Sequence, residues 1–261
     1  MNHPANHDLA RPTGLTRREL LALGALAAVV PATLVRAAAA GAATSSWTPI
    51  FDGQSLAGWR PAPKSPHSRA SANKTAGRWV AEGGAIVGSQ DTPNNGGLLF
   101  TEAQYGDVEI SVETNNDFGP DSGIFLRCTE EGRGYQCLID YHPAGTIGGI
   151  LGEQIWKRRG ERNFTFGAKP ESITLNPHAQ PCPVVPEAWP FFWRVGQWNE
   201  VRVRIVGDPP TITTWINGVQ MLTFTEPVSQ HPVRGHIGLQ VHGGAGNAGF
   251  VRYRNLRVRS V

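Results

Sequence analysis

The sequence predicts an all-β protein: a single two-sheet sandwich of short strands, jelly-roll in character, behind a removable leader. Three observations predict it. The chain holds 31 glycines and 20 prolines in 261 residues, and charged residues make up only 17%, below the usual figure of about 25%. That balance suits many strands joined by turns and excludes a mainly helical protein. Past the leader, short segments of alternating apolar and polar residues follow one another, each bounded by Gly, Pro, Asn or Asp. No stretch there carries a helical repeat of any length.

The leader is predicted over residues 1–43. A polar lead precedes Thr16-Arg17-Arg18-Glu19-Leu20-Leu21, an apolar run follows from Leu20 to Val35, and small residues close it at Ala37–Ala40 and Ala42-Ala43. Paired arginines directly before a modest apolar segment match a twin-arginine export signal with a peptidase-acceptable end. The run of 16 residues falls short of the roughly 20 needed to span a bilayer. No cysteine follows it, so no lipid anchor and no stable membrane anchor are expected. The expected partner is the twin-arginine export machinery and the expected location periplasmic or secreted. Such carriers move folded proteins, so a metal loaded inside the cell is permitted.

About 215 residues then remain, a length that one all-β domain accommodates. The formal charge of +3 belongs partly to the leader, and the other arginines are spread out, so no nucleic-acid partner is expected. In chain order, Arg78-Trp79-Val80 and Ala85-Ile86-Val87 flank the turn Glu82-Gly83-Gly84. Leu98-Leu99-Phe100 follows a turn-rich stretch, and Asp107–Glu113 alternates with Val108, Ile110 and Val112 on one face. Gly123–Cys128, Tyr135–Tyr141, Glu200–Val206, Thr211–Ile216, His236–His242 and Gly249–Val258 complete the strands. Asn217-Gly218 is the strongest hairpin signal in the chain.

Because side chains alternate across a strand, residues two apart share a face. Glu109 and Glu113 lie together, as do Gln136 and Asp140, and Gln240 and His242; Arg127 stands with Phe125. Solvent-facing sheets are polar anyway, but they favour Lys, Ser and Thr. A set of Glu, Arg, Gln, Asp and His without lysine reads instead as a hydrogen-bonding cleft. The histidines His67, His178 and His231 sit in loops or beside proline and read as surface residues. His-Glu-x-x-His, Gly-x-Ser-x-Gly, phosphate-loop and dinucleotide motifs do not occur.

One region breaks the strand rhythm. Lys157 to Gln197 holds six prolines, the run Trp189-Pro190-Phe191-Phe192-Trp193 and the basic cluster Lys157-Arg158-Arg159. Loops of this length are usually lids or binding loops. Cys128 and Cys137 flank the turn Glu131–Gly134. Two small buried residues are expected there; a symmetric hairpin would instead permit a cross-strand disulfide.

The motifs together resemble one family. Phe51-Asp52-Gly53-Gln54-Ser55-Leu56-Ala57-Gly58-Trp59 resembles the opening of the 3-keto-disaccharide hydrolase domain family. In order there follow Trp79–Gly83, Leu99-Phe100-Thr101, Tyr105–Glu109, Asp121–Arg127, Gly134-Tyr135-Gln136, Gly148–Gly152, Gly196–Glu200, Ile237–Gly243 and Tyr253–Leu256. The resemblance covers the chain from about 47 to 260. It implies a concanavalin-like jelly-roll β-sandwich and action on 3-keto-glycosides or 3-keto-disaccharides. A ketone at carbon 3 acidifies the proton on carbon 2; a base removes it, the group on carbon 1 is expelled, and water adds back. On that reading His242 or Asp140 is the base. Arg127 and Gln240 hold the oxyanion or sugar hydroxyls, and Glu113 and Gln136 complete the pocket. The resemblance assigns no cofactor; a divalent metal would suit the chemistry, with its ligands unassigned. The chain departs from the family's Tyr-Glu-x-Gln at Tyr135-Gln136-Cys137-Leu138, which bears on substrate choice and rate. The alternative is a non-catalytic, lectin-like carbohydrate-binding module, with Trp156, Trp189 and Trp193 as sugar platforms.

Overall fold

The computed structural model describes residues 46–116, 119–157, 160–167 and 172–261. The predicted export signal and Arg158-Arg159 of the basic cluster lie outside the described residues. Sixteen strands are present among those described. They are β1 (Thr48–Pro49), β2 (Trp59–Ala62), β3 (Arg78–Glu82), β4 (Ala85–Ser89), β5 (Gly97–Tyr105), β6 (Val108–Thr114), β7 (Ser122–Cys128) and β8 (Gly134–Ile139). After these come β9 (Ile147–Glu153), β10 (Phe164–Phe166), β11 (Ile173–Leu175), β12 (Asn199–Val206), β13 (Thr211–Ile216), β14 (Val219–Thr225), β15 (Gly235–Val241) and β16 (Val251–Ser260). Helical structure is confined to short turns at Pro66–Ser71, Pro186–Ala188 and Trp189–Phe192.

Two antiparallel sheets result, as alternation requires. One runs β14-β13-β12-β6-β16-β4-β3, with β1 paired to β16; the other runs β2-β5-β15-β7-β8-β9. The core fills the space between them. From the first sheet it takes Ile110, Val112, Val201, Val203 and Ile205; from the second it takes Leu99, Ile124, Leu126, Ile139, Leu239 and Val241. Each is essentially inaccessible to solvent, and burying a side chain of this size contributes about 1.5–3 kcal/mol. The Asn217-Gly218 turn forms as expected: both residues have positive φ, 48° and 83°, and Ile216 pairs with Val219. These are the dihedrals of the hairpin turn that Asn-Gly favours.

Between Lys157 and Gln197 the described residues pack largely against the core rather than forming a lid. Hairpin β10–β11 and the helical turn Trp189–Phe192 tuck inward, and Phe164, Phe166, Val184, Trp189 and Trp193 join the core cluster. Trp189 stacks on Trp193 with centroids 6.1 Å apart and meets Phe164 at 4.8 Å. The two tryptophans join the core, while Phe191 between them stays exposed. The cysteines are all free thiols, since the β7–β8 register sets Cys137 against Ile124 and Tyr135 against Leu126. Cys137 therefore points into the main core and Cys128 into a smaller cluster with Ala62, Leu98, Phe100 and Phe125. The two cannot meet.

Candidate active site

The site forms on the face of the six-stranded sheet turned away from the core. There β7, β8 and β15 end or begin side by side. Pairing of Leu239 with Ile124 continues past the strands as a bond from His242 N to Asp121 O of 3.0 Å. Pairing of Ser122 with Ile139 sets Asp140 beside Asp121. Strict alternation then places Asp121, Gly123 and Phe125 on this face, with Gln136 and Asp140 from β8 and its exit, and Gln240 and His242 from β15 and its exit. The sequence expectation that each of these pairs shares a face holds, and both pairs share the same one.

The turn Pro66–Ser71 roofs this face. Gly96 donates to His67 O at 3.0 Å, and Asn95 Oδ1 accepts from Ser71 N at 3.0 Å. The approach demands glycine below it: a Cβ on Gly243 would lie 2.6 Å from His67 O, and one on Gly96 only 2.0 Å from Val241 O. Beneath the roof is a cavity of about 360 Å³, bounded by His67, Arg69, Asn94, Glu153, His242 and Gly243 among others. That volume lies within the roughly 300–1,000 Å³ of small-molecule sites.

The electrostatics of the cavity are unusual. Burial, together with the neighbouring charges of Asp140 and Glu153, holds the Asp121 carboxyl well above the ordinary carboxylate range. Its Oδ1 is buried without a hydrogen-bond partner among the described residues, and its Oδ2 stands 3.8 Å from His242 Nε2. Glu153 is also raised by burial, with Arg69 opposing. Burial, with His242 and Arg69 adding to it, lowers His67 to about 3, so this ring is neutral. The other nitrogen of His242, Nδ1, sits in close contact with Gly243 O. A carbonyl only accepts, so Nδ1 carries a proton, and in the neutral ring the lone pair is on Nε2. Perturbed groups converging in a cleft mark a functional site. Among the described residues, no group of three or more His, Cys, Asp or Glu side chains could hold a metal ion.

The family model of the 3-keto-alpha-glucoside-1,2-lyase-like domain matches residues 46–259. The chain belongs to this family. No curated protein matches it. Among solved structures, the domain is similar to a protein of Parabacteroides distasonis ATCC 8503 provisionally described as a glycosyl hydrolase. The two share 19% identity over 83% of this chain and 100% of the other, with a TM-score of 0.52. A second such protein from the same organism matches at 17% identity, 82% and 94% coverage and a TM-score of 0.49. The carbohydrate-binding module CBM66 of Bacillus subtilis matches at 13% identity, 78% and 96% coverage and a TM-score of 0.46.

Within this lyase-like domain, four residues expected at the site stand elsewhere. Arg127 lies at the far end of β7, about 20 Å from Asp121 at roughly 3.3 Å per residue. Leu126 and Arg127 together face Ile237, a bulge in which Arg127 takes φ 53°. The bulge turns its side chain off the alternating face, and its guanidinium bonds Gly106 O, Gly207 O at 3.0 Å and Asp107 Oδ1 at 2.8 Å. Glu113 is on the other sheet, paired with Arg254 at 2.7 Å on the outer face. Trp156 donates to Glu226 at 2.6 Å and packs edge-on against Tyr135. Trp193 is 2% exposed. Trp193 is thus closed to a sugar, while Trp156 is half-buried against Tyr135 and Phe224.

The remaining expected residues are at the site in altered settings. Asp140 Oδ1 accepts from His142 N at 2.9 Å and His142 Nδ1 at 2.7 Å, so its carboxylate is engaged. Gln136 and Gln240 are bonded to each other at 2.8 Å. Three residues went unremarked as site members: Asp121, Glu153 and His67, the last read as a surface histidine. Asp121 opens the Asp121–Arg127 motif but precedes its strand, and only the β7–β15 register brings it to His242. His231, also read as surface, is buried and contacts Arg127 O at 2.6 Å.

Proposed function

We propose that this domain cleaves 3-keto-glycosides by proton abstraction, elimination and hydration. The observation that carries this reading is the approach of His242 Nε2 to within 3.8 Å of the buried Asp121 carboxyl, which burial and neighbouring carboxylates push toward its protonated form, at the edge of one cavity. His242 Nε2 takes the proton from carbon 2, and its electron pair forms the enolate with carbon 3. When the enolate collapses, the ketone returns, a double bond forms between carbons 1 and 2, and the carbon 1–oxygen bond breaks. Asp121 delivers its proton to the departing oxygen. Water then adds its oxygen to carbon 1 and a proton to carbon 2, giving the 3-keto sugar and a free alcohol. An acid and a base of opposed environments side by side are what such chemistry needs. In this account Asp140 acts through its charge, raising Asp121, rather than as the base.

The family match supports the substrate class. The burial of Trp189 and Trp193 counts against a lectin-like module resting on those platforms. The twin-arginine leader completes the proposal: the folded enzyme is exported to the periplasm or beyond, where it meets oxidised glycosides. The test is incubation of purified protein with a 3-keto-glucoside and the parent glucoside. Aglycone release from the keto sugar, lost in His242→Ala, is expected; release that His242→Ala leaves unchanged would sink the assignment of the base.

A further inference from the structure

The reaction above needs a donor for the enolate oxygen, and neither expected group is free to serve. Arg127 is at the far end of β7, and both ends of the Gln240 amide are occupied. The occupants of Gln240 point to another residue. On β8, Gln136 Nε2 lies 3.4 Å from Ser122 O and 2.8 Å from Gln240 Oε1. A backbone carbonyl only accepts, so this atom is the amide nitrogen and donates to Gln240. Gln240 therefore presents its own NH2 to the His67 ring, 2.8 Å from Nε2 and 3.5 Å from Nδ1, so Nε2 is the nearer partner. An NH2 only donates, so His67 Nε2 must accept, and the proton of the neutral ring sits on Nδ1. Gly123 makes the relay geometrically feasible: lying between the two glutamines on β7, it leaves the space that a Cβ would fill, 2.4 Å from Gln136 Nε2.

His67 thus carries the tautomer opposite to that of His242. The two rings lie with centroids 4.8 Å apart on the same cavity. One offers a lone pair on Nε2, the other an N–H on Nδ1 that no acceptor meets among the described residues. We propose that His67 donates its Nδ1–H to the keto oxygen of a bound 3-keto sugar, with Gln240 and Gln136 as positioning residues that hold this tautomer. The inference rests on the 3-keto-glycoside reading. No proton leaves His67 in the step: the pair from the carbon 2–hydrogen bond gathers on the oxygen, is stabilised there, and returns as the leaving group departs. A neutral imidazole suits this role, because it stabilises the developing charge without fully protonating it.

The experiment is long-range ¹H–¹⁵N NMR of the histidine rings of the full mature protein, with 3-keto-glucose and glucose as added probes. The expected spectrum shows His67 neutral and protonated on Nδ1 at pH 7, and its Nδ1 proton shifts downfield with 3-keto-glucose but not with glucose. In Gln240→Glu the ring gains a proton near neutral pH. His67→Phe lowers kcat by about 10²–10³-fold, the cost of removing one oxyanion donor, with KM little changed and partial recovery in His67→Gln. An Nε2–H or charged His67 in the wild type, or a proton unmoved by the keto sugar, overturns the inference whether or not cleavage occurs. A protein that binds 3-keto-glucose through His67 but releases no aglycone would overturn the reaction and leave the donor intact.

Discussion

Asp121 and His242 approach to 3.8 Å between Oδ2 and Nε2, with the carboxyl buried and the far nitrogen of the imidazole turned to a backbone carbonyl. The His242 proton is on Nδ1, facing Gly243 O. Burial, with the charges of Asp140 and Glu153 adding to it, pushes the Asp121 carboxyl toward its protonated form. A salt bridge would lock the two together; this arrangement leaves a base and an acid separately available to a substrate.

Removing either group costs the chemical step. His242→Ala and Asp121→Asn are each expected to lower kcat on a 3-keto-glucoside by about 10²–10⁴-fold, the range for a positioned acid or base, with smaller effects on KM. Steady-state kinetics on purified variants measures this. Either variant retaining near wild-type kcat would remove that residue from the reaction.

Asp121 also sets a pH dependence. Its folded pKa lies above its unfolded one, so the native state binds more protons and stability falls as pH rises from the unfolded value through the folded one. At alkaline pH the fold holds in a buried site a charge that the unfolded chain holds in water. Asp121→Asn removes this cost, so Tm is expected to rise in the variant at pH 8 and to differ less at pH 4. At this chain size each kcal/mol shifts Tm by about 2–4 °C. Thermal melts at the two pH values test the sign, and a lower Tm for Asp121→Asn at pH 8 contradicts it. The same titration predicts that kcat falls as pH rises through the raised pKa, because the acid is then lost.

Arg127 is structural, and its replacement separates stability from catalysis. Arg127→Leu removes the guanidinium bonds to Gly106 O, Gly207 O and Asp107 Oδ1 and leaves Asp107 with the Gly207 N–H alone, a loss of about 1.5–3 kcal/mol for hydrogen bonds to a charged group. Tm should fall while kcat on the folded protein stays within a few-fold of wild type. A selective loss of kcat with unchanged Tm would return Arg127 to the reaction.

Glu109 is a buried charge on the opposite sheet. It is fully buried and meets Arg202 at 3.3 Å, Arg204 at 2.7 Å and Arg259 at 3.1 Å. Arg202 and Arg204 lie over the Trp215 ring and Arg259 over that of Trp47. Glu109→Gln strands three guanidinium groups against one another. Since the arginines are partly exposed, solvent screens the loss to about 2–3 kcal/mol, read by denaturant unfolding with kcat unaffected. An unfolding midpoint equal to wild type would show the carboxylate to be dispensable.

The sequence made the sandwich legible because alternation and turn residues are local signals. Asp107–Glu113 and Asn217-Gly218 carry their structure in their own residues, and the shared faces of Gln136 with Asp140 and Gln240 with His242 follow from the same rule. Arg127 escaped it because a bulge is a property of two strands together, visible only once Ile237 faces both Leu126 and Arg127. Glu113 alternates as read, but the choice of sheet depends on pairing β6 with β12 and β16, far off in sequence. Trp156 and Trp193 were read from composition, and an aromatic-rich stretch serves a core as well as a ligand. Asp121 and His67 lie outside strands, so alternation says nothing of them; long-range register and the Pro66–Ser71 roof bring them in.

The account's central claim is that carbon 2 loses its proton before the glycosidic bond breaks, and product isotope content tests this most directly. Cleavage of a 3-keto-glucoside in D2O, quenched before free product exchanges and analysed by NMR, should give 3-keto-glucose with deuterium at carbon 2 in every turnover. Product that retains its original hydrogen at carbon 2 would mean that water displaced the leaving group directly, and would contradict the account.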